Sequence, residues 1–185
     1  MARLAWRDTP EAYGLVTRGL HWTMATLFAW QWLSMACRLI FGRTPVTAVM
    51  VGSHAPVGTV LLLLVLVRIG WFLANRHRRP SHAGDRLAGL ARAGHALLYL
   101  LMLVIPAIAL LRHYGAGRPL SILGVPLLQA RPEKIEWMIA PANAVHGWLG
   151  WLLLAVVVGH VGAVLLHRFV WRDGVAARMM GRSPG

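Results

Sequence analysis

Histidines recur near the ends of the apolar stretches of this sequence, and imidazole is a side chain that binds metal ions and transfers protons. The stretch "HGWLGWLLLAVVVGH" carries His146 and His160, which lie fourteen residues apart. Fourteen residues is close to four helical turns, so both rings point to nearly the same face, about 21 Å apart along the helix axis. An ionisable side chain inside a membrane helix indicates a functional site.

Three further histidines match this pair in depth, because a chain that crosses a membrane repeatedly alternates in direction. His54 opens another apolar stretch on the same side as His146. His21 and His95 each open a stretch on the same side as His160. Each ring of the pair therefore has a partner at its own depth: His54 for His146, and either His21 or His95 for His160.

Paired imidazoles favour one kind of metal chemistry over others. Zinc takes three or four ligands per site, often including cysteine or carboxylate, and a proton relay usually includes carboxylates. The helix interiors contain no Asp or Glu, and Cys37 is the only cysteine, which also excludes a CxxCH haem attachment site. Haem iron needs only two axial ligands, and helical bundles build cofactor sites from facing side chains. The pattern therefore favours two stacked haems held by four histidines.

The elements that must position these rings are membrane helices. Hydrophobic residues make up 57% of the chain and charged residues only 14%, against about 25% in a soluble domain. Four apolar segments, at about 14–40, 53–73, 94–112 and 143–167, are near the roughly 20 residues that a membrane helix needs. The sequence therefore predicts an all-α fold, a single integral membrane domain over residues 1–185 built as a four-helix bundle.

The long 113–142 connection is rich in Gly and Pro and is predicted to be mostly irregular. Within it, "RPEKIEWMI" is a candidate for a short helix on the surface.

Basic residues are distributed unequally between the two sides of the membrane. Twelve of the 19 lie on the side of both termini, six lie on the opposite side, and Arg68 lies inside the second segment. This asymmetry predicts that both termini are cytoplasmic. The twelve are Arg3, Arg7, Arg18, Arg76, Arg78, Arg79, Arg86, Arg92, Arg168, Arg172, Arg178 and Arg182, and the six are Arg38, Arg43, Arg112, Arg118, Arg131 and Lys134. Because the arginines flank apolar runs, the partner expected for the net charge of +13 is the lipid bilayer and not nucleic acid.

Several motifs resemble those of the bacterial cytochrome b561 family, which are four-helix, di-haem b quinone oxidoreductases. They are "RGLHWT", "GSHAPVG", "RAGHALLYLL" followed by "IPAIAL", "HGWLGWLLLAVVVGH" and "FVWRDGVAARMM", and the match covers roughly residues 12 to 180. The resemblance implies an outer haem between His54 and His146 and an inner haem between His21 and His160. The choice of His21 over His95 rests on the resemblance alone.

The resemblance also implies an activity in the bacterial inner membrane, namely electron transfer between an outer donor and membrane ubiquinone. Some members resemble superoxide oxidases, which makes superoxide the expected donor and the protein an oxidoreductase. The alternative is a quinone-coupled cytochrome b subunit that serves an outer dehydrogenase, a hydrogenase or a soluble cytochrome. A membrane scaffold or transporter without haem is the third hypothesis.

Two groups of residues are candidates for the ends of this electron path. His167, His95 and Arg18 lie nearest the inner haem and are candidates for contacts with the quinone headgroup. Four basic residues on the outer side are candidates for attracting the superoxide anion or for pairing with haem propionates: Arg112, Arg118, Arg38 and Lys134. Beyond these contacts with the quinone and its protons, no catalytic residue is predicted.

Overall fold

Four long helices dominate the computed structural model, which describes residues 5–80 and 87–180; Arg3, Arg86 and Arg182 of the charge count lie outside these ranges. All four spans are long and apolar enough to cross a membrane. The helices are α1 (Leu15–Phe41), α2 (Pro45–Gly52), α3 (His54–Asn75), α4 (Ala88–Gly115), α5 (Glu136–Leu165) and α6 (Val175–Met179). A 3₁₀ turn (Arg76–Arg78) follows α3, and a π-helical turn (Leu166–Trp171) extends α5.

Local sequence explains where the first helices begin and end. The backbone N–H of Gly14 donates to the Asp8 carboxylate at 2.9 Å just before α1, and Gly42 ends α1 with a positive φ of 68° that favours glycine. Thr44 and Thr47 form a reciprocal capping box at the start of α2. Only Ser53 separates α2 from α3, so His54 is the first residue of a membrane helix.

The connection before α5 differs from the sequence expectation. It spans only residues 116–135, and it contains an antiparallel hairpin of β1 (Leu120–Ile122) and β2 (Val125–Leu128). The expectation of a separate surface helix in "RPEKIEWMI" was wrong, because residues from Glu136 onward are the first turns of α5. Pro141 lies inside this helix, where it removes one backbone hydrogen bond near the start. The helices α4 and α5 thus begin six and seven residues before the segments 94–112 and 143–167.

Four crossings place both chain ends on one side, which we call the terminal side. The other side carries the β-hairpin and is called the hairpin side. Helix α1 runs from the terminal side to the hairpin side, and α3, α4 and α5 then alternate in direction.

The four long helices pack side by side in chain order, and the row bends so that α1 and α5 approach each other. Helix α1 packs on α3, α3 on α4, and α4 on α5. The seam between α1 and α5 is bridged by side chains, including the rings of Trp32 and Trp151 with centres 5.1 Å apart. One core cluster centres on Met24, Leu61 and Val65, and a second on Leu101, Ile105 and Leu153. Little of each span is otherwise buried within the chain, so much of the apolar surface is left for lipid or for a bound cofactor.

Candidate functional site

On the hairpin side, α3 and α5 bring His54 and His146 together. Their ring centres are 6.2 Å apart and the ring planes meet at 74°. Both residues are half-buried. Gln31 of α1 donates from Nε2 to the carbonyl oxygen of His54 at 3.0 Å, which fixes the start of α3 against α1. We call these two histidines the hairpin-side pair.

On the terminal side, α1 and α5 bring His21 and His160 together. Their ring centres are 6.4 Å apart at an interplanar angle of 70°. His95 of α4 also reaches this position, with its ring centre 5.3 Å from that of His160. Trp22 packs edge-to-face on His21 at 5.2 Å. We call His21 and His160 the terminal-side pair, and His95 the third histidine beside it.

The spacing of both pairs fits two imidazoles on opposite faces of one iron. A ring nitrogen lies about 2 Å from a metal ion and the ring centre roughly 1 Å further, so two axial rings have centres about 6 Å apart. The separations of 6.2 and 6.4 Å match this value. The 5.3 Å between His95 and His160 is shorter, so the geometry favours His21 over His95 where sequence spacing did not choose.

Glycines next to the histidines leave room for a flat ligand. A Cβ added to Gly19, Gly94, Gly147 or Gly159 would meet no described atom of the chain within 4 Å. These glycines therefore do not serve close helix packing within the described chain. The donor set is also unsuited to zinc, because no group of three His, Cys, Asp or Glu side chains among the described residues could hold a metal ion.

Comparison with known proteins shows the family of this chain. The family described as prokaryotic cytochrome b561 matches residues 12–182, which is most of the chain. This chain belongs to the prokaryotic cytochrome b561 family. It is therefore a multi-pass protein of the bacterial inner membrane, with b-type haem and transmembrane electron transfer as the properties of its family.

Individual relatives in the cytochrome b561 family match over nearly their whole length. The chain is 25% identical to cytochrome b561 homolog 2 of Escherichia coli strain K12, over 97% of each protein. It is 28% identical to a probable superoxide oxidase of Yersinia pestis, over 95% of this chain and 99% of the relative. It is also 25% identical to cytochrome b561 homolog 1 of Escherichia coli strain K12, over 88% and 93% of the two chains.

Beside the terminal-side pair of this cytochrome b561 lies a charge to which the sequence reasoning gave no role. Arg68 of α3 approaches Nδ1 of His21 with its Nη1 at 3.2 Å, and its guanidinium lies over the ring of Tyr99 at 5.6 Å. Two signals in the sequence point to it. A charge inside a membrane span is rarely without function, and Arg68 follows His54 by the same fourteen residues that separate His146 from His160.

The other terminal-side candidates lie in different surroundings. The Nδ1 atom of His167 contacts the Asp173 carboxylate at 2.5 Å, and its ring packs edge-to-face on Trp171 at 4.6 Å. The Asp173 contact was missed by sequence reasoning, because it depends on the π-helical turn and the left-handed Arg172 that fold the chain back toward His167. Arg18 is half-buried on α1, and its Nε has no hydrogen-bond partner among the described residues.

Three of the four basic candidates on the hairpin side surround one pocket. The pocket has a volume of about 220 Å³, and it is lined by Arg112, Arg118 and Lys134 together with Glu136 and Asn143. Arg38 does not line it. Asn143 of the lining precedes His146 by three residues on α5, so the pocket lies about one helical turn from the hairpin-side pair.

Proposed function

We propose that this protein carries electrons across the inner membrane through two b-type haems, from superoxide on the outer side to ubiquinone. The observation that carries the proposal is the geometry of the two histidine pairs. Each has ring centres 6.2 to 6.4 Å apart, and the two members on α5 lie about 21 Å apart by helical rise.

The four histidines have distinct tasks in this proposal. His54 and His146 hold one haem, and His21 and His160 hold the other. A haem held by two histidines supplies one-electron transfer, because both axial positions are filled and oxygen does not readily bind the iron. The chain contributes the position of each ring and the apolar surroundings that set its potential.

The direction across the membrane follows from charge. The terminal side carries twelve basic residues against six on the hairpin side, so we assign the terminal side to the cytoplasm and the hairpin side to the outer compartment. Superoxide produced outside would then meet the hairpin-side pair first.

The basic pocket supports an anionic donor. Arg112, Arg118 and Lys134 place three positive charges around an opening near His146, with Glu136 as the only acidic residue of the lining. A concave surface with an excess of one charge raises the encounter rate of small ions of the opposite sign. Superoxide loses one electron there and leaves as dioxygen. The similarity to a probable superoxide oxidase at 28% identity gives further support for this donor.

The quinone end is proposed near His167. Two electrons, taken from two superoxide ions, and two protons convert ubiquinone to ubiquinol. His167 follows His160 by seven residues, about two turns on the same face of the helix. Its Nδ1–H donates to the Asp173 carboxylate, so its Nε2 is the ring nitrogen that remains to take up a proton from the cytoplasm and pass it to the quinone. Arg18 and His95 are proposed as the neighbouring headgroup contacts.

The hairpin favours one alternative, a cytochrome b subunit that serves an outer dehydrogenase, a hydrogenase or a soluble cytochrome. Leu123 at its tip is 99% exposed, and Val125 and Leu127 are also exposed. An exposed apolar patch is typical of surfaces that contact another protein or a membrane.

Two measurements on the purified protein test the proposal. A reduced-minus-oxidised spectrum with a haem-to-protein ratio should show b-type bands and two haems per chain, and the absence of such bands would end the haem assignment. Stopped-flow mixing with superoxide should then reduce the haems at a rate near the diffusion limit that falls steeply with salt. Slow reduction that does not depend on salt would instead favour the alternative with a partner protein.

A further inference from the structure

Arg68 is a positive charge inside a membrane span, and no carboxylate contacts it among the described residues. The six acidic residues of the chain are Asp8, Glu11, Asp85, Glu133, Glu136 and Asp173, and none lies in α1, α3 or α4. Cations at such depth are costly unless they pair with another group. Here the described contacts of Arg68 are a ring nitrogen, the sulfur of Met24 at 4.0 Å and the face of Tyr99, and its buried Nε has no hydrogen-bond partner among the described residues.

The contact with His21 changes when that histidine binds iron. An arginine only donates hydrogen bonds, so Nδ1 of His21 accepts in the present arrangement and the ring proton is on Nε2. If His21 ligates iron through Nε2, the proton moves to Nδ1 and two donors then face each other. The guanidinium must then find another acceptor, and the helices around it offer no carboxylate.

The position of Arg68 connects it to both members of the terminal-side pair. It lies fourteen residues after His54 on α3, so both side chains leave the helix on nearly the same face, about 21 Å apart. Its guanidinium contacts His21 at 3.2 Å, and the ring centre of His21 lies 6.4 Å from that of His160. The helix α3 thus presents a histidine to one pair and an arginine to the other.

We propose that Arg68 serves the terminal-side haem, where it pairs with a haem carboxylate and favours the reduced iron through its positive charge. This inference rests on the proposed function, because it requires a haem at that pair. Arg68 is a positioning residue here and not a ligand. A fixed positive charge stabilises the iron state with one more electron, so the terminal-side haem becomes the better electron acceptor of the two.

Potentiometric titration of the haem-loaded protein tests this role. The Arg68→Gln variant should keep the hairpin-side potential and shift the reduction equilibrium of the terminal-side haem about tenfold toward the oxidised form, which is 59 mV for a one-electron couple. The Arg68→Lys variant keeps the charge and should return most of that shift. Arg92→Gln removes an exposed arginine of α4 and should leave both potentials unchanged.

The outcomes separate this inference from the proposed function. Two haems in the wild type with unchanged potentials in Arg68→Gln would overturn the inference and leave the proposed function intact. Selective loss of the terminal-side haem in Arg68→Gln, restored in Arg68→Lys, would support the carboxylate contact. Equal shifts in the Gln and Lys variants, or loss of both haems in both, would show that the charge is not the cause. Wild-type protein without b-type bands would refute the proposed function itself.

Discussion

The two histidine pairs have nearly the same ring separation but different surroundings. The hairpin-side pair consists of two histidines alone, with Gln31 bound to the backbone of one of them and the nearest basic pocket open to solvent. The terminal-side pair has a third histidine at 5.3 Å and an arginine at 3.2 Å, both from membrane helices. Charges in a low-dielectric interior act more strongly than charges at a surface. The same ligand geometry is therefore expected to give two centres of different potential.

The largest expected effect comes from removing a ring of either pair. His146→Ala and His54→Ala should each lower the haem content from two to one per chain, because one iron loses an axial ligand. His160→Ala and His21→Ala should do the same for the other haem, and the remaining haem should differ in potential between the two sets. The measurement is the haem-to-protein ratio with a redox titration. Two haems in all four variants would show that the ligand assignment is wrong.

Helical periodicity and alternating direction determine depth and face, so the sequence matches His146 with His54 and His160 with either His21 or His95, and the resemblance selects His21. The spacing of His146 and His160 placed them on one face of one helix, and hydropathy located four membrane helices. The structure adds short extensions such as the start of α5 at Glu136, which hydropathy misses because this segment lies beyond the apolar core of the span.

Contacts that depend on tertiary packing were not predictable in this way. The choice between His21 and His95 depends on how closely α1 and α4 approach α5, which gives ring separations from His160 of 6.4 Å for His21 and 5.3 Å for His95. The contact of His167 with Asp173 depends on a backbone reversal at Arg172 with φ of 51°, which non-glycine residues rarely adopt. The sequence shows that Arg68 is a charge within a helix, but its contact with His21 depends on how α1 packs against α3.

The next largest effect tests the open surroundings of the hairpin-side pair. The double variant Arg118→Glu, Lys134→Glu reverses two charges of the pocket, and reduction by superoxide should slow by about tenfold at low salt. Added salt should narrow the difference, because exposed charges are screened. The double variant Arg38→Glu, Arg43→Glu is the matched control, since neither of these basic residues of the same side lines the pocket. An equal slowing in the control would show that the rate of reduction by superoxide depends on the net charge of the protein and not on the charge of the pocket.

A smaller effect is expected beyond the terminal-side pair, at the C-terminal end of the π-helical turn. Partial burial of Asp173 raises the pKa of its carboxyl. Hydrogen bonds from His167 and from the backbone N–H of Val175 outweigh this effect and hold the pKa below its usual value. A lowered pKa means that the contact is present above about pH 4 and is lost only as the pH falls through the lowered value. Asp173 therefore stays ionised over the whole range in which ubiquinone reduction is measured.

Asp173→Asn removes the charged partner of His167 and should slow ubiquinone reduction by about twofold to fivefold, since the carboxyl is 37% exposed and such pairs contribute little. Haem content and both potentials should stay at wild-type values. His167→Gln should slow the same step by more, because the ring itself is lost. A fall in haem content in Asp173→Asn would indicate instead that the contact holds the end of α5 in place.

The smallest expected effect comes from replacing the third histidine, His95. This variant tests whether His21 or His95 is the ligand opposite His160. His95 is exposed and its ring centre lies 5.3 Å from that of His160, too close for one iron between the two rings at about 6 Å. His95→Gln should therefore keep two haems and change the terminal-side potential less than Arg68→Gln does, because histidine, unlike arginine, carries no permanent charge. His21→Gln is the matched comparison and should lose that haem. The reverse result, in which His95→Gln loses the haem and His21→Gln keeps it, would make His95 the ligand. His21 would then only accept the hydrogen bond from Arg68.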